Sequence, residues 1–315
     1  MKRSATDGRV TGGLIVLCAG MSACMAQSEG DGDFQAGEPL GTVNEAGEAT
    51  PMTDNVKVYG SYRFAESCTF DPERNLILAM NAGVAQDVQE NDGYVSLINP
   101  DGSVHTTKWI GATRDGLTLN HPLGSAVADG VLYTVDIDTV RTFDLATGEP
   151  LDSFPVEGAT ILNGIAVADD GTIYASNTRE PERIYEITAD GSASVFVDGE
   201  PLALPNGVAI DQDGNVVVVN IGNSDVLTFD RQGNLIRTEN AAEGGNDGVV
   251  VLEDGTKYVS SVRFGSVSRI RPGQQAEVVA AGIPSAASMC YDSTQNQLVI
   301  PMNNHNAMAF VALGD

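Results

Sequence analysis

Basic side chains are scarce in this chain, whose 315 residues carry 17 Lys+Arg against 43 Asp+Glu for a formal charge of −26. No stretch collects the cations that counterion release from a phosphate backbone requires, which excludes a nucleic-acid partner. Charged residues make up only 19% of the chain. Apolar runs such as NVVVVN (215–220) and DGVVVL (247–252) continue almost to the C-terminus, so a disordered or coiled-coil protein is excluded as well. Absent too are a serine-hydrolase elbow, a P-loop, a dinucleotide fingerprint and the twelve-residue ligand spacing of an EF-hand. What the chain has is glycine and proline, 35 and 13 residues, spread at near-regular intervals. That distribution predicts many short strands joined by tight turns and rules out an all-helical fold.

The N-terminus reads as a targeting segment. Lys2, Arg3 and Arg9 accompany an uncharged apolar stretch from Gly12 to Gly20, and Met21-Ser22-Ala23-Cys24 places small residues before a cysteine. The segment resembles a bacterial lipoprotein signal, in which residues 1–23 are removed and Cys24 becomes the lipidated first residue; cleavage after Ala26 is the alternative. Residues 24–50 contain six acidic side chains and no basic one, as expected of an acidic disordered tether. The protein is therefore expected to be exported, to sit in the periplasm or at the cell surface, and to touch the membrane by its lipid anchor only. The folded part is expected over 51–315.

That part repeats. In LNGIAVADDGTIYAS (162–176), PNGVAIDQDGNVVVV (205–219) and NDGVVVLEDGTKYVS (246–260), a glycine opens an apolar strand (Gly164, Gly207, Gly248) and a second closes a hairpin turn (Gly171, Gly214, Gly255). A further turn follows at Gly191, Gly233 and Gly273, so each unit is four strands. Weaker copies lie at 65–80, 122–135 and 286–302. The anchor positions Glu66, Leu123, Asn163, Asn206, Asp247 and Ala287 are separated by 57 residues once and by 40 to 43 thereafter. Six such units predict an all-β fold, a six-bladed β-propeller of four-stranded antiparallel blades around a central channel. The chain ends part-way through blade six, and residues 55–59 are expected to supply its missing outer strand.

In a propeller the first strands line the channel, so the anchor column forms a ring around the axis. Glu66, Asn163, Asn206 and Asp247 supply oxygen donors with two negative charges, which match one calcium ion, its shell completed by water or substrate. Zinc and copper want histidine and cysteine, which the ring lacks. The alternative is that Asn163-Gly164, Asn206-Gly207 and Asp247-Gly248 are turn dipeptides in which glycine provides positive φ. With a cation at the ring, Asp247 is the catalytic candidate, as general base or as nucleophile; the cation lowers its pKa, which makes the nucleophile role chemically easier.

On these residues the sequence resembles the calcium-dependent six-bladed propeller hydrolases of the gluconolactonase and regucalcin type. Glu66-Ser67, Pro205-Asn206-Gly207 and Asp247-Gly248 with the turn Glu253-Asp254-Gly255 match the family's motifs. The resemblance implies that Glu66, Asn206 and Asp247 bind calcium directly, and that Asn163 is either a fourth ligand, as in diisopropylfluorophosphatase, or a substrate-binding residue, as in gluconolactonases. Gluconolactonases usually carry Asn-Asp where this chain has Asn163-Gly164. Paraoxonases place a histidine in the column where this chain has Leu123.

The loops between strands two and three are expected beside the metal, at 81–92, 136–139, 176–183, 220–225, 261–265 and 303–307, joined by 109–121; those at 81–92 and 109–121 could form a lid. Asn220, Arg263, His305 and His121, with Phe264, are the further substrate-binding candidates. Cys68 and Cys290 occupy repeat positions offset by one residue, so their side chains are expected to face opposite ways as buried free thiols, although export permits a bridge. Two functional classes follow. One is an exported monomeric hydrolase acting on a small lactone or ester; the other is a non-catalytic, NHL-like binding propeller with a structural calcium.

Overall fold

Each sequence repeat folds as one four-stranded antiparallel sheet, and six such sheets stand in a ring. Blade one comprises Ala65–Asp71, Leu76–Asn81, Tyr94–Ile98 and Val104–Gly111. Blade two runs from Pro122–Ala128 to Pro150–Pro155, blade three from Leu162–Val167 to Ala193–Asp198, blade four from Pro205–Ile210 to Leu235–Asn240, and blade five from Asn246–Val251 to Glu277–Ala281. Blade six takes Cys290–Asp292, Gln297–Met302 and Ala307–Ala312 from the C-terminus. Its outer strand is Val56–Gly60, which pairs antiparallel with Ala307–Ala312, one residue from the segment expected for it.

The computed structural model describes residues 42–43, 49–50, 53–60, 62–83, 89–111 and 117–314. The expected signal segment 1–23, the lipidation site Cys24 and most of the tether lie outside the described residues. Within the tether range, Thr42–Val43 pairs with Ala49–Thr50. Among the described residues no helix is long and apolar enough to cross a membrane. Residues 84–88 and 112–116, within the two loops expected to form a lid, also lie outside the described residues.

The core is six apolar layers, one at each junction between blades. The run Val216–Val219 explains how. All four valines are fully buried, because successive side chains of a strand point to opposite faces. Val216 and Val218 pack with blade three, whereas Val217 and Val219 pack with blade five. A sheet covered on both sides reads as a continuous apolar run rather than an alternating one.

The same parity overturns the expectation of free thiols. Cys68 and Cys290 form a disulfide with their Cα atoms 5.4 Å apart. At every seam one blade offers one face and its neighbour the opposite face. Ala166, three residues after Asn163, therefore packs with Val208, two residues after Asn206. Cys290 lies three residues after Ala287 and Cys68 two after Glu66, so the one-residue offset is what brings the two sulfurs together between blades six and one.

Candidate metal centre

In blades one to five the first strand starts at one face of the ring, called the upper face, paired with the end of its second strand: Ala65 with Asn81, Pro122 with Asp136, Leu162 with Asn177, Pro205 with Asn220, and Asn246 with Ser261. The loops between strands two and three therefore lie on the anchor side, as expected. Immediately after each of these pairs the ladder shifts by one residue. A bulge releases a residue from the ladder and re-aims its side chain, and among the residues released are Glu66, Asn163, Asn206 and Asp247.

The residue after each anchor is small: Ser67, Gly124, Gly164, Gly207, Gly248 and Ser288. None of these four glycines has positive φ, unlike the hairpin glycines Gly171, Gly214 and Gly255 at 82°, 78° and 81°. What demands glycine is the adjacent blade. A Cβ on Gly124 would lie 2.1 Å from the Asn163 carbonyl oxygen, one on Gly164 2.1 Å from that of Asn206, and one on Gly207 2.5 Å from that of Asp247. The turn-dipeptide alternative is thereby excluded: these glycines exist so that the inner strands can close on the axis. Serines on two of the second strands tie the blades there. The Gly164 N–H donates to Ser176 Oγ at 2.8 Å and Ser176 Oγ donates to the Asn206 carbonyl at 2.5 Å. Ser260 makes the same link from Gly248 to Ala287, at 2.8 Å on both sides.

The ring side chains are withdrawn from bulk solvent, with Glu66 4%, Asn163 9%, Asn206 1% and Asp247 2% exposed. Glu66 Oε2, Asn163 Oδ1, Asn206 Oδ1 and Asp247 Oδ1 are all buried without a hydrogen-bond partner. Asn206 Nδ2 lies 3.5 Å from Asp247 Oδ2. Burial pushes the Asp247 carboxyl up to about 7, against a hydrogen bond from Ser288 that lowers it. Glu66 is raised well above the usual carboxylate range, first by burial and then by the charge of Asp247. Two like charges and four oxygens with no protein partner in a buried site are costly to fold, and a hard cation that prefers oxygen ligands relieves all of it. Among the described residues no group of three or more His, Cys, Asp or Glu could hold a metal; this set has two carboxylates and completes itself with amides. Below it, the axis opens into a cavity of about 80 Å³ lined by Ser67, Gly124, Gly164, Gly207, Gly248 and Ser288 among others.

Direct contacts or charge coupling join Glu66, Asn206 and Asp247, and Asn163 occupies the same column one blade away. The other candidates are placed differently. Asn220 is fully buried, accepts the Ala203 N–H at 3.1 Å and leaves its Nδ2 without a partner. It stands in a column with Asn81 and Asn177, whose amides likewise accept N–H groups of the incoming chain. His121 is 1% exposed, with Nδ1 2.6 Å from the Ala82 carbonyl oxygen. Arg263 is exposed and reaches the Ile221 carbonyl at 3.5 Å. His305 is exposed on the 3-10 turn Asn303–His305, its Nδ1 2.9 Å from Ser285 Oγ, and partial burial lowers its pKa.

Sequence reasoning missed Ser288. Its N–H donates to the Glu66 carbonyl at 3.1 Å, and its side chain lowers the pKa of the Asp247 carboxyl against the effect of burial, so one residue acts on both acidic strands. The signal was its place directly after the anchor, where four of the six blades carry glycine. A larger cavity of about 490 Å³ opens at the opposite face between blades four and five, beside Arg237, Glu239 and Lys257. Lys257 and Glu239 pair there at 2.8 Å, and none of the candidate residues lines it.

Residues 49–242 match the family model described as SMP-30/gluconolactonase/LRE-like region. No curated protein matches the chain. Among solved structures, a gluconolactonase of Xanthomonas campestris, important in glucose secondary metabolic pathways, superposes with a TM-score of 0.63 at 18% identity, covering 90% of this chain and 98% of that one. A streptogramin B lyase superposes at 0.56 with 12% identity, covering 82% and 87%. Virginiamycin B lyase from Staphylococcus aureus superposes at 0.54 with 11% identity, covering 82% and 100%. At these identities the likeness is one of fold.

Proposed function

The chain belongs to the SMP-30/gluconolactonase/LRE-like family, and on that premise we propose that it is an exported calcium-dependent hydrolase of lactones or related esters, with one calcium ion at the top of the propeller axis. The observation that carries this reading is that four side-chain oxygens at equivalent positions of the repeat are buried with no hydrogen-bond partner, three of them on residues joined by contact or charge. Glu66, Asn163, Asn206 and Asp247 would hold the ion through them. Bound calcium supplies positive charge where the ester oxygen becomes negative.

Asp247 carries the chemistry. The Asn206 amide orients its carboxylate, whose pKa the Ser288 side chain lowers. A carboxylate oxygen attacks the carbonyl carbon, a new C–O bond forms, and the ring C–O bond breaks with its electron pair leaving on the alkoxide, which takes a proton from water. The hydroxide so formed adds to the acyl carbon and releases the hydroxy acid, restoring the Asp247 carboxylate. One water is consumed for each ring opened. Export, lipid attachment at Cys24 and a monomeric state belong to the same proposal; the Cys68–Cys290 bridge supports export alone, because disulfides persist in oxidising compartments.

A propeller fold hosts many functions, so the test is kinetic. Rates on γ- and δ-lactones, gluconolactone and an aryl ester are measured with calcium, with chelator and in Asp247→Asn. Turnover abolished by both chelation and the substitution is expected. Turnover indifferent to them would remove the assignment.

A further inference from the structure

We infer that the seam between blades four and five holds a second ligand site, at the face opposite the ligand ring, which binds a small organic acid by its carboxylate; this is independent of the hydrolase reading above. A repeating fold carries its own control, because a position occupied in every blade shows what packing alone asks for. At the start of the second strand, paired with the residue four beyond the anchor, the blades carry Ile77, Leu132, Ile173, Val216 and Leu298. Each is buried in the apolar layer against the preceding blade. Blade five carries Lys257 there, itself only 3% exposed.

The partner of Lys257 breaks the same rule. Glu239 faces Val226 in its ladder, and the matching outer-strand residues of the other blades are Tyr59, Ile110, Phe154, Val197 and Ala280. Lys257 Nζ and Glu239 Oε2 meet at 2.8 Å, the two side chains 4% and 17% exposed. A buried ion pair seldom adds stability over apolar residues of the same volume, because both charges leave water. Packing therefore does not account for a Lys–Glu pair at this seam where the others are apolar. Beside the pair lies the cavity of about 490 Å³, which Asp211, Gln212, Arg237 and Pro272 also line. That volume falls in the range of small-molecule sites.

The balance of donors and acceptors decides what the cavity takes. Both of its carboxylates are engaged: Glu239 by Lys257, and Asp211 by the N–H groups of Asp213 and Asn215 at 3.0 and 2.9 Å and by Asn215 Nδ2 at 3.1 Å. Lys257 and Arg237 can only donate. Among the described residues no acceptor meets the Arg237 guanidinium, although two carboxylates share the cavity with it. Thr228 stands opposite Arg237 in the ladder, on the same face, fully buried with its hydroxyl unpartnered. The exposed Gln212 amide can serve either role. The surplus is of donors, and a planar acceptor that fits the fork of an arginine is a carboxylate. A single charge suits the site, since a phosphate dianion would meet the repulsion of Asp211 and Glu239 twice over. Pro272 and the methylene stems of Lys257 and Arg237 offer hydrocarbon to the rest of the acid.

The experiment is calorimetric titration of the full protein with hexanoate and benzoate, beside hexanamide and inorganic phosphate. Expected is saturable one-to-one binding of the two carboxylates, with the amide and phosphate each weaker by about tenfold or more. Arg237→Gln, at an exposed position, should weaken the carboxylates by about tenfold or more. Lys257→Met combined with Glu239→Leu gives this seam the apolar pair of the other blades; it should abolish binding while the melting temperature holds or rises. Titrations that stay flat with both acids overturn the site. Hexanamide bound as well as hexanoate, or phosphate preferred, overturns the carboxylate assignment. Carboxylate binding that neither variant changes lies elsewhere on the molecule and overturns the placement. None of these outcomes bears on lactone hydrolysis, which is read separately.

Discussion

A Cβ on Gly164 would lie 2.1 Å from the carbonyl oxygen of Asn206 in the next blade. The contact sets how closely two inner strands approach, and hence how near their anchor side chains stand to one another. Gly164→Ala must push the strands apart. The expected cost is about 1 to 3 kcal/mol, the range for overpacking a tight interior, with weaker calcium binding beside it. Gly60 has no heavy atom within 4 Å of an added Cβ and does not adopt positive φ, so Gly60→Ala should be close to neutral. Chemical denaturation of the two variants measures the difference, and equal stability would mean that blade contact is not what selects glycine.

Much of this was legible in the sequence because a propeller repeats its backbone. Hairpin glycines at fixed spacing set the blade register, and the register put Glu66, Asn163, Asn206 and Asp247 in one column. The shortfall of strands in blade six likewise pointed to the segment that became Val56–Gly60. What could not be read were contacts between neighbouring blades. The bond between Cys68 and Cys290 depends on opposite faces meeting at a seam, which reverses the rule that applies within one sheet. Asn220 ends a strand at the anchor face, and only the structure shows that one side of its amide holds the chain entering at Ala203 while its Nδ2 has no partner. Ser288 carries no charge and belongs to no motif, and only its neighbours Glu66 and Asp247 reveal it.

The buried carboxylates make opposite demands with and without a cation. In chelator, ionising both Glu66 and Asp247 in a poorly solvated site is costly, and burial raises the pKa of each, with the charge of Asp247 adding to the rise in Glu66. Asp247→Asn removes one of the like charges. Its melting temperature in chelator should therefore match or exceed that of the parent protein. In calcium the order reverses: an ion at 100 times its Kd stabilises the parent by about 2.7 kcal/mol, and the variant should lose most of that gain. Calorimetry with and without calcium checks both signs, and a variant stabilised by calcium as much as the parent would place the ion elsewhere.

Ser288 should act on the ion without touching it. Its side chain lowers the pKa of the Asp247 carboxyl, and groups that act on a metal ligand from behind typically contribute 10- to 100-fold in affinity. Ser288→Ala is expected to raise the calcium Kd by about tenfold with little change in fold, while Ser288→Thr, which retains the hydroxyl, should recover part of the loss. Titration calorimetry of the two variants separates this from a purely structural role, in which alanine, the smaller substitution, would be the milder.

The seam between blades six and one is closed twice, by the Val56–Gly60 strand and by the Cys68–Cys290 bridge. The two closures act at different radii. The strand completes the outer edge, whereas the bridge lies on inner strands, two residues after Glu66 and two after Ser288. Replacing both cysteines by alanine should cost about 2 to 5 kcal/mol, as removal of a native disulfide does, without opening the ring, since the outer strand remains paired. It should also weaken calcium binding, because the Ser288 N–H to Glu66 carbonyl bond spans the same seam. Val56 lies in the apolar layer between blades five and six, so Val56→Asp should destabilise the fold while leaving the inner strands covalently joined. Calcium affinity measured at temperatures where each variant is folded distinguishes the two closures: a larger loss for the cysteine pair places the bridge among the elements that hold the ligand ring, and a larger loss for Val56→Asp would assign that role to the outer strand.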